Sequence, residues 1–181
     1  MNRRNALHTL TALAALPWLP ACSRAPDTGA AAAAPDAKTA SSKIARLNKP
    51  AAAWRDQVSP AAWRVLFEED TEPSFSSPLD KEKRDGTFVC AACHLPLFDS
   101  ARKFDSGTGW PSFTQPIAGH IGTKKDFKLI LPRTEYHCAR CGGHQGHVFD
   151  DGPPPRGERW CNNGAALVFV PKGQPLPALR S

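Results

Sequence analysis

The stretch Thr87-Phe88-Val89-Cys90-Ala91-Ala92-Cys93 decides how the chain is read. Its short β-type run ends in a Cys-x-x-Cys pair, and the same arrangement returns at Glu135-Tyr136-His137-Cys138-Ala139-Arg140-Cys141. Two thiolates three positions apart reach one ion from a tight knuckle turn, and two such knuckles complete a tetrahedral four-sulfur site. A borderline-soft, redox-inert ion suits four thiolates, so Zn²⁺ is the expected metal, one per chain, held by Cys90, Cys93, Cys138 and Cys141. Gly142-Gly143 allows the tight backbone path of the second knuckle. A redox pair at either unit and two disulfides in an oxidising compartment are the competing readings. The shared spacing at the ends of β runs favours metal. With all four positions filled, its role is structural, joining distant segments.

Outward from the knuckles, the texture is short apolar runs broken by Gly and Pro. Phe127-Lys128-Leu129-Ile130-Leu131 and Ala166-Leu167-Val168-Phe169-Val170 join the two runs above as expected strands of a mainly β, mostly antiparallel domain. Ahead of them, Ser59-Pro60 supplies an N-cap and a first-turn proline. Ala62, Val65 and Leu66 then recur at helical spacing before Glu68-Glu69-Asp70. The composition, 41% hydrophobic and 22% charged in 181 residues, excludes a disordered or collagen-like chain. No apolar run reaches the roughly 18 residues of a membrane-spanning helix, which excludes a polytopic membrane protein.

The first 21 residues read as an export signal: Arg3-Arg4, an apolar run from Leu10 to Leu19, then Leu19-Pro20-Ala21 ahead of Cys22. The lipobox-like context makes Cys22 the expected lipidation site and mature N-terminus, with ordinary cleavage as the alternative. Residues 22–52 are rich in Ala, Pro, Lys, Ser and Thr and read as a flexible linker. The domain is placed at residues 53–172, with 173–181 a loose tail. An exported, periplasmic domain tethered to the membrane only through Cys22 follows as the expectation.

The remaining thiol is Cys161, in Gly157-Glu158-Arg159-Trp160-Cys161-Asn162-Asn163. A single thiol near a cation is what a nucleophile requires. His144 and His147 supply imidazoles able to move protons near neutral pH. The Gly-rich loop carrying Trp110 and Phe113 supplies aromatic surface. Singly, each residue has an ordinary alternative: surface charge for Arg159, core for Trp110, a small buried hydrophobe for Cys161. Their joint presence favours a site.

From about Trp54 to Val170 the chain resembles the B-type methionine sulfoxide reductases. The resemblance rests on Lys103-Phe104-Asp105-Ser106-Gly107-x-Gly109-Trp110-Pro111-Ser112-Phe113, Arg133-Thr134-Glu135, Gly146-His147-Val148-Phe149-x-Asp151-Gly152-Pro153 and Arg159-Trp160-Cys161-x-Asn163. It implies two antiparallel β-sheets with short N-terminal helices and the structural zinc site. It also implies reduction of methionine-R-sulfoxide in oxidised proteins or peptides, with Cys161 as nucleophile and His144, His147 and Asn163 donating protons and positioning. Arg159 would stabilise the thiolate, and Trp110 and Phe113 would bind substrate. The sequence departs from the family at Thr108, where many members carry a recycling Cys. The Cys161 sulfenic acid would then be reduced by a thioredoxin-like partner or a small thiol. Gln145 and Asn162 replace usually apolar residues, and Asn162 is expected to place a polar group beside the nucleophile. A monomer is expected. A silent relative that binds oxidised methionine is one alternative. A zinc-ribbon module for nucleic acid is the other, disfavoured by the export signal and by the lack of basic clusters interleaved with aromatics.

Overall fold

A computed structural model describes residues 44–129 and 131–181. The signal segment, Cys22 and the linker up to residue 43 lie outside the described residues. Helix α1 (Pro60–Glu68) forms as the sequence predicts. Ser59 caps it by accepting the N–H of Ala62, Pro60 sits in the first turn, and Glu69 ends it in the left-handed conformation. Its apolar stripe buries Ala62, Trp63, Val65 and Leu66.

Strands β1 (Gly86–Cys90), β2 (Pro96–Asp99) and β9 (Leu167–Pro171) make one sheet, in the order β2-β1-β9. Strands β3 (Lys103–Phe104), β4 (Ser112–Phe113), β5 (Ile121–Asp126), β6 (Arg133–Cys138), β7 (His144–Phe149) and β8 (Arg159–Asn162) make a second, ordered β3-β4-β8-β7-β6-β5. All pairings are antiparallel. The expected architecture, two antiparallel sheets with short N-terminal helices, is therefore the one observed. An aromatic seam joins the sheets. Phe98 of the small sheet stacks on Phe113 of the large one at 4.1 Å between centroids, and Phe88 meets Phe113 edge-on at 5.0 Å.

Three expectations need correction. The described residues of the run, 127–129 and 131, are not in a strand: β5 lies before them, and Phe127 and Leu131 are 71% and 76% exposed. The cause is local. Asp126 Oδ1 accepts the N–H of Lys128 at 2.9 Å, an Asx turn that swings the chain out of the sheet, and Pro132 has no N–H to offer the ladder. The tail 173–181 is not loose. Arg180 donates from its backbone to Cys93 and from its guanidinium to the carbonyl of Gln57, while His94 meets the carbonyl of Ala178 at 3.0 Å. Residues 44–52 also belong to the folded part, since Leu47 donates to the carbonyl of Arg140 and Ile44 and Leu47 pack on the core.

Candidate active site and metal knot

The two knuckles are built alike. Cys90 donates to the carbonyl of Leu95 and its own carbonyl accepts from His94; Cys138 donates to Gly143 and accepts from Gly142. The fifth residue of each is left-handed, His94 at φ 61° and Gly142 at φ 77°. Only Gly142 takes this shape without a side-chain penalty. The four sulfurs lie within 4.8 Å of one another, with Cys90–Cys141 at 3.6 Å and Cys93–Cys138 at 3.5 Å. A disulfide needs about 2.05 Å, so none of the four is bonded to another. Sulfurs bound at 2.3 Å to a tetrahedral ion sit about 3.8 Å apart, close to the observed edges. Two N–H groups point at the sulfurs, from Gly143 to Cys141 at 3.4 Å and from the Gln145 amide to Cys90 at 3.6 Å, as thiolates require. Four buried thiols with such donors fit a metal ion and leave no place for a substrate. The knot ties β1 of one sheet to β6 of the other.

The second site grows from the register of the large sheet. Directly paired residues of antiparallel strands share a face. The row Lys124–Glu135–His147–Cys161–Ser112 therefore stands on one face, and Arg133, Asp126 and Arg159 lie on the same side two residues along. In a regular strand His144 and His147, three apart, would face opposite ways. The register instead slips between Tyr136 and His137, pairing Tyr136 with Gly146 and His137 with His144. This bulge at Gln145 turns both imidazoles to the Cys161 face, with ring centroids 5.4 Å apart. Gly146 is required here, because a Cβ would lie 1.9 Å from the carbonyl oxygen of Cys161.

Cys161 sits in a cleft of about 150 Å³ lined by Thr71, Trp110, Arg133, His147, Phe149 and Asn163. The structure thus brings Cys161, Trp110, His147 and Asn163 together at the cleft, keeps Arg159 beside the thiol without lining the cleft, and sets His144 and Phe113 apart. His144 is 2% exposed and stands behind His147, its Nδ1 2.7 Å from Oε1 of Glu135. Phe113 does not line the cleft: it is 0% exposed, on the opposite sheet face inside the aromatic seam, so its assignment to substrate binding is corrected. The expectation for Asn162 is corrected likewise. Its side chain points away from the thiol, into a buried network in which Tyr136 donates to Oδ1 at 2.8 Å and Nδ2 donates to Gln145 Oε1 at 3.3 Å. The two departures at 145 and 162 satisfy each other.

The charges around the cleft are paired. Nε2 of His147 lies 2.8 Å from Oδ2 of Asp126. A carboxylate only accepts, so neutral His147 carries its proton on Nε2 and leaves Nδ1 free to accept. Burial lowers the pKa of His147, with Asp126 pulling against it. The Lys128 N–H, His147 and Arg133 hold the Asp126 carboxyl well below the usual carboxylate range. Burial opposes ionisation of Glu135, yet hydrogen bonds from His137 and His144 bring it down to about 2. Arg159 grips Asp151 through Nε at 2.7 Å and Nη2 at 2.9 Å, a two-point clasp. Burial pushes the Cys161 thiol up, and the Arg159 guanidinium pulls it down less strongly. Burial thus favours the protonated thiol over the thiolate. Thr71, Asp126, Arg133, Glu135 and Phe149 were not singled out from the sequence as site residues. Four come from segments remote from Cys161, and no spacing rule links them to it.

Fold, knot and cleft together define a thiol-bearing β domain with a separate cluster of four cysteines able to hold a metal ion, the makings of a cysteine-based oxidoreductase. The SelR domain family matches residues 58–171. The peptide methionine sulfoxide reductase MsrB of Bradyrhizobium diazoefficiens is 48% identical over 139 residues, 76% of this chain and 99% of that protein. Its counterpart in Agrobacterium fabrum is 46% identical over 127 residues, 70% of this chain and 94% of that protein. The chloroplastic reductase B1 of Arabidopsis thaliana is 47% identical over 115 residues, 63% of this chain and 57% of that protein. The chain belongs to the MsrB family of methionine sulfoxide reductases.

Proposed function

We propose that this enzyme reduces methionine-R-sulfoxide in peptides and oxidised proteins to methionine, with Cys161 as the nucleophile. The observation that carries the reading is the cleft, which gathers the one thiol outside the knot among the described residues with an apolar wall and a proton carrier. The Cys161 sulfur attacks the sulfoxide sulfur and its S–H proton passes to Nδ1 of His147. As the S–O bond breaks, the oxygen is transferred to Cys161 and the proton accompanies it. Methionine leaves with the two electrons that the thiol has lost, and Cys161 is left as a sulfenic acid. Asp126 fixes the His147 tautomer and compensates the transient imidazolium, the part a carboxylate plays behind any catalytic histidine. His144, held by Glu135, supports the ring of His147. Arg159 restrains the cost of the thiolate, Asn163 positions the oxygen, and Trp110 with Phe149 receives the substrate methyl group.

The motif resemblance supports the R epimer. Turnover of N-acetyl-methionine-R-sulfoxide, absent with the S epimer and with Cys161→Ser, is the expected result. Binding of sulfoxide without turnover by the unaltered chain would leave a silent relative instead.

The sulfenic acid is removed by an external thiol, such as a thioredoxin-like partner. The one at first forms a mixed disulfide with loss of water, and a second thiol releases Cys161. Position 108 carries a Thr whose hydroxyl lies 2.8 Å from Ser106, and the other described cysteines are the buried four of the knot. The knot holds one Zn²⁺ per chain, to be checked by metal analysis of folded protein. Export, cleavage after residue 21, lipidation at Cys22 and action as a periplasmic, membrane-tethered monomer complete the proposal. Labelling with radioactive palmitate that Cys22→Ser abolishes supports the tether, and labelling that survives the substitution refutes it.

A further inference from the structure

Between α1 and the 3-10 turn Pro78–Lys81, residues 71–76 form a strap whose first residue, Thr71, lines the cleft. Glu72 has no part in the chemistry above, yet all its polar groups are spent on the site. Its carboxylate accepts the N–H of Gly164 at 2.6 Å and of Ala165 at 2.7 Å, in the turn that follows the Cys161 strand. Its backbone N–H donates to Oδ1 of Asn163 at 3.1 Å, and its carbonyl accepts the indole N–H of Trp110 at 3.1 Å.

Two glycines show that the neighbours are shaped around this strap. A Cβ on Gly164 would lie 2.0 Å from Ser77 Oγ and 3.2 Å from Glu72 Oε1, so any side chain there would lift the turn off the carboxylate. A Cβ on Gly109 would strike the Phe75 ring at 2.7 Å, and Phe75 donates its N–H to the Gly109 carbonyl at 2.8 Å. The strap is thus closed on the turn at one end and on the loop that carries Trp110 at the other.

We propose that Glu72 is a positioning residue of the substrate wall: its carboxylate rivets the strap to residues 164–165 and so fixes the Trp110 indole and the Asn163 amide around Cys161. The assignment rests on the reading of the cleft given above and adds a residue to it. A carboxylate accepts both N–H groups, whereas an isosteric amide accepts one and turns a donor toward the other. Glu72→Gln therefore loosens the wall without changing its volume.

The test combines kinetics with a signal independent of turnover. In Glu72→Gln, KM for an R-sulfoxide peptide rises roughly tenfold, about the worth of one hydrogen bond, while kcat stays within about twofold. Glu72→Ala goes further. The indole N–H resonance of Trp110, identified by its loss in Trp110→Phe, shifts in Glu72→Gln, while those of Trp54 and Trp63 hold. A Trp110 resonance that stays in place in Glu72→Gln overturns the proposal, and so does an unchanged KM in an active enzyme. If the unaltered chain turns over no sulfoxide, the reaction reading fails, and the resonance alone then decides the clamp.

Discussion

Substitution of Phe113 by Leu separates a core residue from a substrate contact. The ring is fully buried, stacked on Phe98 at 4.1 Å with planes 13° apart and set edge-on to Phe88 at 5.0 Å. Leu keeps most of the volume and the apolar character, so what is lost is chiefly the two aromatic pairs, each worth about 0.5–1.5 kcal/mol beyond burial. Imperfect filling of a flat slot adds to this, and an overall cost of about 2–3 kcal/mol is expected, below the 3–5 kcal/mol typical of Phe→Ala. At roughly 3–5 °C per kcal/mol for a domain of this size, the melting temperature falls by about 6–15 °C. Thermal unfolding of metal-loaded protein gives the first number, and KM for an R-sulfoxide peptide, measured well below the transition, gives the second. The expected KM is unchanged within about twofold. A raised KM with an unmoved melting temperature would refute the reasoning and return Phe113 to the substrate wall.

Three further outcomes follow from the paired charges and buried contacts. Asp151 opposes ionisation of Cys161, so Asp151→Asn moves the pH midpoint of Cys161 alkylation downward and speeds alkylation at pH 7; an upward move contradicts the arrangement. Gln145→Leu and Asn162→Leu each cost about 1–3 kcal/mol by stranding a buried polar partner, while the double variant costs less than the sum of the two, as read by denaturant unfolding. Removal of residues 178–181 takes away the bonds to Cys93, His94 and Gln57 and accelerates metal release to a chelator, with little effect on kcat.

Much of this was legible in the chain. The Cys-x-x-Cys pairs at the ends of β-type runs gave the knot, because the knuckle is a local structure whose spacing is its signature. The helix at Pro60 was legible from its cap and its periodicity. Less local features were not. The run 127–131 carries strand-like composition, but the Asp126 side chain turns the chain at Lys128, directly after β5, and no propensity records a side chain capping its own strand. Strands β7 and β8 read as site motifs rather than strands because glycine, histidine and asparagine interrupt their alternation. The bulge that sets His144 and His147 on one face depends on the partner strand's register. So do the carboxylates of Asp126 and Glu135, which reach the histidines across strand pairs. Phe113 stands in a motif beside Trp110, but strand alternation sends it to the opposite face. The tail, rich in proline, has no pattern of its own and is ordered by the knuckles it covers.

The most direct test of the account is one turnover of pre-reduced, metal-loaded enzyme with R-sulfoxide and no added thiol, followed by mass spectrometry of the protein. The account predicts about one methionine per chain and Cys161 heavier by one oxygen, trapped as a sulfenic acid, with the four knot cysteines unmodified. An intramolecular disulfide involving Cys161, or reduction that persists in Cys161→Ser, would contradict it.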